Sequence, residues 1–231
     1  PSSGSVRLGD DGHIIPTSPK SAVKTLIADR ATFAKKGIAD SWPQVFGLVV
    51  QPGIEFGPDE VFTMSKGANS GLRDTISEYP EICFEAHSTD FQPPETLAKP
   101  ANMGFGFQKV VPALTFALRR ALYALNHIVQ KRTQSAVALP QVVEAAMCEN
   151  PEYWRSHFSE NNISKWHFSY AHRIRYYLPL PAVKAAVTNL TLTFDNLKIY
   201  NHILEQNFSS DVLERSEGLA ASRGHAIIRS E

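Results

Sequence analysis

The chain has 231 residues, 43% of them hydrophobic, enough to bury a sizeable core in one large domain or in a domain with an appendage. Its 23 Lys and Arg balance 23 Asp and Glu, so no net field recommends nucleic acid or an anionic membrane as a partner. No apolar run reaches the roughly 20 residues that span a bilayer, and the two cysteines, Cys83 and Cys148, lie far apart in apolar segments, as buried reduced thiols of a soluble cytoplasmic protein do.

Residues 1–16 have neither the charged-then-apolar order of a signal peptide nor a strand pattern, and read as a loop that begins in the middle of something longer. Thr17 or Ser18 caps a helix that Pro19 starts, with Val23, Leu26, Ile27 and Ala34 at helical spacing as far as Gly37. Val45 to Pro52 is a nearly uninterrupted apolar run, the pattern of a strand covered on both faces of a parallel sheet. A helix is expected over Met64 to Tyr79, ended by Pro80. Ile82 to Asp90, ICFEAHSTD, reads as a second buried parallel strand with a polar end. A short helical piece near Glu95 to Lys99 and a β-like segment from Gly106 to Val111 follow. Pro112 then leads into a long amphipathic helix, whose apolar face carries Leu114, Leu118, Ala121, Leu122, Leu125 and Val129.

This alternation is the rhythm of βα units, which demand a parallel sheet with right-handed crossovers. A closed barrel needs eight strands and only three are legible, so the sheet is incomplete as a domain. Beyond Thr133 the chain reads as helices over Leu139–Cys148, Pro151–Phe158, Ser164–Tyr177, Ala182–Asn196 and Ser210–Ser230, the last interrupted at Gly218. The expected division is residues 1–133, α/β, and residues 134–231, helical.

Ligands of parallel α/β folds bind at the carboxyl ends of strands. Those ends carry Gln51 and Glu55, then Glu85, His87, Ser88 and Asp90, then Lys109. Glu85 and His87 are two apart and share a strand face. A carboxylate and an imidazole converging there suit proton handling or a divalent metal, with Lys109 holding a phosphate or an oxyanion. The bland alternative is a polar rim in which His87 is satisfied by a backbone carbonyl. Residues 165–177, KWHFSYAHRIRYY, interleave cations and aromatics, which on a neutral chain reads as a half-buried helix with cation–π contacts in preference to a nucleic-acid surface. No Walker loop, GxGxxG, GxSxG or CxxC is present, so nucleotide, hydrolase and redox chemistry find no motif.

LVVQPGIEF (48–56), FEAHSTDFQ (84–92), PALTFALRRAL (112–122), NPEYWRSHF (150–158) and RIRYY (173–177) resemble, in order and from about Ser18 onward, the non-catalytic subunit of class II tagatose-1,6-bisphosphate aldolase. Members of that family are often labelled tagatose-6-phosphate kinases. The resemblance covers only the C-terminal half of a family close to twice this length. It implies the C-terminal part of a (β/α)8 TIM barrel followed by extra C-terminal helices. It also implies a subunit that supports a catalytic aldolase partner in galactitol and N-acetylgalactosamine catabolism. The alternative it implies is a metal-dependent ketose 4-epimerase or sugar-phosphate aldolase in its own right, with Zn or Mn as cofactor, acting on a sugar or sugar phosphate as a homo-oligomer. By the same resemblance His87 falls where catalytic class II aldolases carry a zinc-binding histidine, and the remaining ligands lie outside this chain; Glu85, on the same strand face by its spacing, is the candidate catalytic carboxylate. Gln51, Glu55, Ser88, Asp90 and Lys109 are the candidate substrate-binding residues. Ser88-Thr89-Asp90 stands in place of the aldolases' glycine- and serine-rich phosphate loop, which argues against tight phosphate binding there. Without a phosphate-cradling loop, the kinase label is hard to sustain chemically.

Overall fold

In the computed structural model, Ser18 caps the first helix, α1 (Pro19–Lys35), by accepting a hydrogen bond from the Ser21 N–H, and Gly37 at φ 72° turns the chain out of it. The structure describes residues 9–10, 12–64, 71–133, 138–159, 162–217 and 223–230. The expected helix over 64–79 is seen only as α2 (Leu72–Ser77): Met64, Gly71, Glu78 and Tyr79 are not helical, and 65–70 lie outside the described residues, as does most of the N-terminal loop.

Three short strands, β1 (Gly47–Val50), β4 (Cys83–Ala86) and β5 (Phe105–Gln108), form a parallel sheet in the order β1-β4-β5. Between β1 and α2, β2 (Glu55–Phe56) and β3 (Val61–Phe62) pair as an antiparallel hairpin, which hydropathy did not reveal because two-residue strands carry no readable period. The short helical piece expected near Glu95 to Lys99 is α3 (Pro94–Ala101), and each predicted strand is shorter than the segment read for it. The segment 82–90 is extended only to Ala86, since Ser88 turns left-handed at φ 56° and ends the ladder.

Along β1 and β4 alternate residues are buried, so the sheet has one well-covered face. Leu48, Val50, Phe84, Ala86 and Phe105 point into a core shared with Ala22 and Leu26 of α1 and Leu72 and Ile76 of α2. Cys83 and Glu85 stand on the other side of β4, which is less enclosed. Gly104, just before β5, has φ 90°, and a Cβ there would lie 2.6 Å from Ile76 Cγ2. Gly104→Ala is therefore expected to destabilise this unit by about 1–3 kcal/mol through strain and overpacking. Urea unfolding followed at the sheet measures it.

The polypeptide divides between Val111 and Pro112, so the long helix α4 (Pro112–Thr133) groups with the C-terminal helices and not with the β-rich unit, as a boundary at 133 supposed. The physical reason is its apolar face: Ala121, Leu122, Leu125, Ile128 and Val129 belong to the helical core. That core includes residues of α5 (Leu139–Glu149) and α7 (Pro181–Asp195), with Trp154 and Trp166 at 4.1 Å between ring centroids. Two expected helices are broken. Pro151–Phe158 contains only a 3-10 turn at Pro151–Tyr153. Ser164–Tyr177 resolves into α6 (Ile163–Phe168) and a 3-10 turn at Ile174–Tyr176, because Ser169 is extended and its hydroxyl takes the Ala171 N–H. α8 (Asn201–Glu205), α9 (Ser210–Ser216) and α10 (Arg223–Ser230) complete the unit, with 218–222 of the expected last helix outside the described residues. Both thiols are free and neither is fully buried: Cys83 is half-buried on the less enclosed side of β4, and Cys148 is exposed, since the apolar stripe of α5 runs through Leu139, Val143, Ala146 and Met147.

His172 in this unit is 1% exposed, and burial with Arg119 and Arg175 nearby pushes its pKa from 6.5 down to about 3. Below pH 6.5 the unfolded chain takes up a proton that the folded chain refuses, so this histidine costs the fold stability as pH falls from 6.5 toward 3. A thermal-denaturation series across that window is expected to flatten in His172→Phe.

Candidate functional site

Glu85 ends the exposed face of β4, and His87 follows one residue past the strand with its side chain on the same side. His87 Nε2 lies 2.8 Å from Glu85 Oε1, with the two side chains 41% and 34% exposed. An ionised carboxylate only accepts, so the proton of a neutral His87 sits on Nε2 and its Nδ1 lone pair is left for another partner. This is how a carboxylate orients an imidazole that works through its other nitrogen. The expected convergence of these two residues is present, and the partner of His87 is the carboxylate in place of a backbone carbonyl.

The loop beyond them is held by its own side chains. Ser88 and Phe91 have φ of 56° and 62°, an uncommon region for residues with a Cβ, at a cost of order 1–3 kcal/mol each. Thr89 donates its hydroxyl to the Lys109 carbonyl at 2.9 Å, Asp90 Oδ1 accepts the Val111 N–H at 2.9 Å, and Gln92 Nε2 donates to the Phe62 carbonyl at 3.1 Å. The Lys109 N–H in turn reaches the Ala86 carbonyl at 2.9 Å. Thr89 and Asp90 are buried. The loop thus keeps a left-handed turn at Ser88 without a glycine, and Asp90 holds the segment after β5 in place. Sequence reasoning missed Thr89 and Gln92, because a side chain that bonds to a distant backbone leaves no local pattern.

Gln51 and Glu55 also have local duties. The Gln51 side-chain oxygen accepts the N–H groups of Gly53 and Ile54 at 2.9 and 3.1 Å, and its Nε2 donates to Glu55 Oε2 at 3.5 Å. Glu55 Oε1 accepts the Phe56 N–H at 3.1 Å. The hairpin they introduce meets the loop after β4 through Phe56 and Phe91, whose rings are 5.2 Å apart and edge to face. The Lys109 side chain is exposed at the end of β5.

A divalent ion needs about three protein ligands at a catalytic site. Among the described residues no group of three His, Cys, Asp or Glu side chains is placed to hold one. Glu85 and His87 alone do not fit a metal. Among the same residues no helix is long and apolar enough to cross a membrane.

Over 198 residues the chain is 37% identical to the D-tagatose 6-phosphate 4-epimerase of Agrobacterium fabrum, a match covering 84% of this chain and 47% of that protein. The chain therefore spans about half the length of that curated relative. The crystal structure of a probable tagatose 6 phosphate kinase from Sinorhizobium meliloti 1021 superposes with a TM-score of 0.81 at 35% identity, covering 94% of this chain and 57% of that one. Residues 3–231 match the family model for the D-tagatose-1,6-bisphosphate aldolase subunit GatZ/KbaZ-like, and the chain belongs to that family.

Proposed function

We propose that this chain is part of a sugar-phosphate enzyme that inverts C4 of a ketose such as D-tagatose 6-phosphate, with His87 moving the proton and Glu85 orienting it. The observation that carries this reading is the 2.8 Å Glu85–His87 pair, open to solvent at the end of a parallel strand. A base acting on the C4 hydroxyl of a ketose starts cleavage of the C3–C4 bond. Re-addition of the resulting enolate to the opposite face of the aldehyde gives the C4 epimer, so aldol cleavage and epimerisation begin with the same proton transfer. The name of the Agrobacterium relative supports the epimerase outcome.

In this reading β1, β4 and β5 are three strands of a (β/α)8 barrel, and a divalent metal such as Zn or Mn would need ligands beyond the described residues beside His87. Lys109, Gln51, Glu55 and Ser88 line the substrate side, and the setting is cytoplasmic carbohydrate catabolism. The kinase name of the Sinorhizobium structure is not carried over, because no phosphate-cradling nucleotide loop is present in the sequence.

A second reading, a non-catalytic subunit that stabilises a catalytic aldolase partner, is favoured by the loop 88–92. Its side chains hold their own backbone, and Asp90 places a carboxylate where a phosphate-binding loop would keep free N–H groups. The two readings separate in one assay: ketose epimerisation and bisphosphate cleavage by the full-length protein, alone and with a catalytic aldolase subunit, with and without Zn or Mn. Epimerisation by the protein alone supports the first reading; stimulation of aldol cleavage without activity of its own supports the second.

A further inference from the structure

Among the described residues of the helical unit, one buried cation lacks an ion-pair partner. Arg119 of α4 is 6% exposed, with its guanidinium carbon 4.4 Å from the Phe116 ring centroid and 5.5 Å from that of Phe168. Its Nε is buried without a hydrogen-bond partner, and the ion pairs among the described residues join other groups. Glu144, the acid in the neighbourhood, lies instead 3.6 Å from His167, and the other ring nitrogen of His167 is 2.6 Å from the Tyr123 hydroxyl. Against the same Phe116 ring, at 5.9 Å and 20° between planes, stacks His172, buried with neither ring nitrogen hydrogen-bonded.

The Arg119 Nε and both ring nitrogens of His172, on two side chains that pack on one aromatic ring, thus lack hydrogen-bond partners among the described residues. Cation–π contact offsets only part of the desolvation of a guanidinium, which stays protonated and keeps its five donors. A small anion answers the charge and the donors together. A phosphate fits this pair better than a carboxylate does. Arg offers a planar fork of donors, whereas a neutral imidazole offers one donor and one acceptor, and hydrogen phosphate both accepts and donates. We propose that Arg119 and His172 form a buried site for a small phosphate-class oxyanion, either inorganic phosphate or the phosphate group of a monoester. Both residues belong to the unit that begins at Pro112, and the proposal does not rest on the chemistry assigned to Glu85 and His87.

Isothermal titration of the protein with inorganic phosphate, and separately with glycerol 3-phosphate, tests it, alongside NMR of the His172 ring. Saturable binding is expected, weakened at least tenfold in Arg119→Met and in His172→Phe, weakened less in Arg119→Lys, and unchanged in His87→Ala. Binding of inorganic phosphate alone assigns the free ion, and binding of both assigns the phosphate group of a monoester as well. The wild-type His172 resonances are expected to move with the same saturation, a readout that does not depend on any variant folding. Absence of saturable binding, or binding that Arg119→Met leaves intact while the His172 resonances stay still, overturns the proposal. In that case Arg119→Met is expected to raise the melting temperature, as removal of an uncompensated buried charge does.

Discussion

His87→Ala is expected to lower kcat for ketose epimerisation by about 10²- to 10⁴-fold, the range that a positioned proton-transfer group contributes. The side chain is 41% exposed and its hydrogen bond goes to another solvent-open side chain, so the fold loses little. Glu85→Gln keeps the shape of the pair but removes the charge that fixes the imidazole tautomer. Its cost is expected to be smaller, about 10- to 100-fold, as for partners that act through the residue they orient. Steady-state kinetics with far-ultraviolet circular dichroism on the same samples checks both. A variant that unfolds, or one that keeps full turnover, contradicts the assignment.

Phe84→Ala is expected to have the largest effect on stability, about 3–5 kcal/mol, the cost of removing a buried aromatic side chain and leaving its cavity. Phe84 is fully buried on β4, its ring 5.5 Å from that of Phe105 on the neighbouring strand. It lies one residue before Glu85 on the opposite face of the strand, so its loss also loosens the element that presents the Glu85–His87 pair. Equilibrium urea unfolding measures the change. A loss below about 1 kcal/mol would mean that the sheet is not packed against α1 and α2 as described.

The features legible in the sequence are those whose signal is local. Helix α1 was readable because Ser18 and Pro19 announce its start and Gly37 its end, and α4 because Leu118, Ala121, Leu122, Leu125 and Val129 recur at helical spacing, although Leu114 of the same expected face is exposed. The Glu85–His87 pair was readable because a spacing of two in an extended segment brings side chains to one face, and the offset of His87 beyond the strand did not undo it. What was not legible depends on partners far away in sequence. Thr89 and Lys109, Asp90 and Val111, and Gln92 and Phe62 are joined across 20 to 30 residues. The same reason hid the isolation of Arg119 and His172. In the sequence His172 belongs to an ordinary cationic and aromatic stretch and Arg119 to a long amphipathic helix, and their burial against Phe116, with Phe168 also on Arg119, leaves no local pattern.

The most direct measurement is 13C NMR of D-tagatose 6-phosphate incubated with the full-length protein alone, in parallel with its His87→Ala variant. The account predicts that resonances of the C4 epimer grow in with the wild type and stay at background with the variant. Equal growth with both proteins would contradict it, as would no growth with the wild type in the presence of added Zn or Mn.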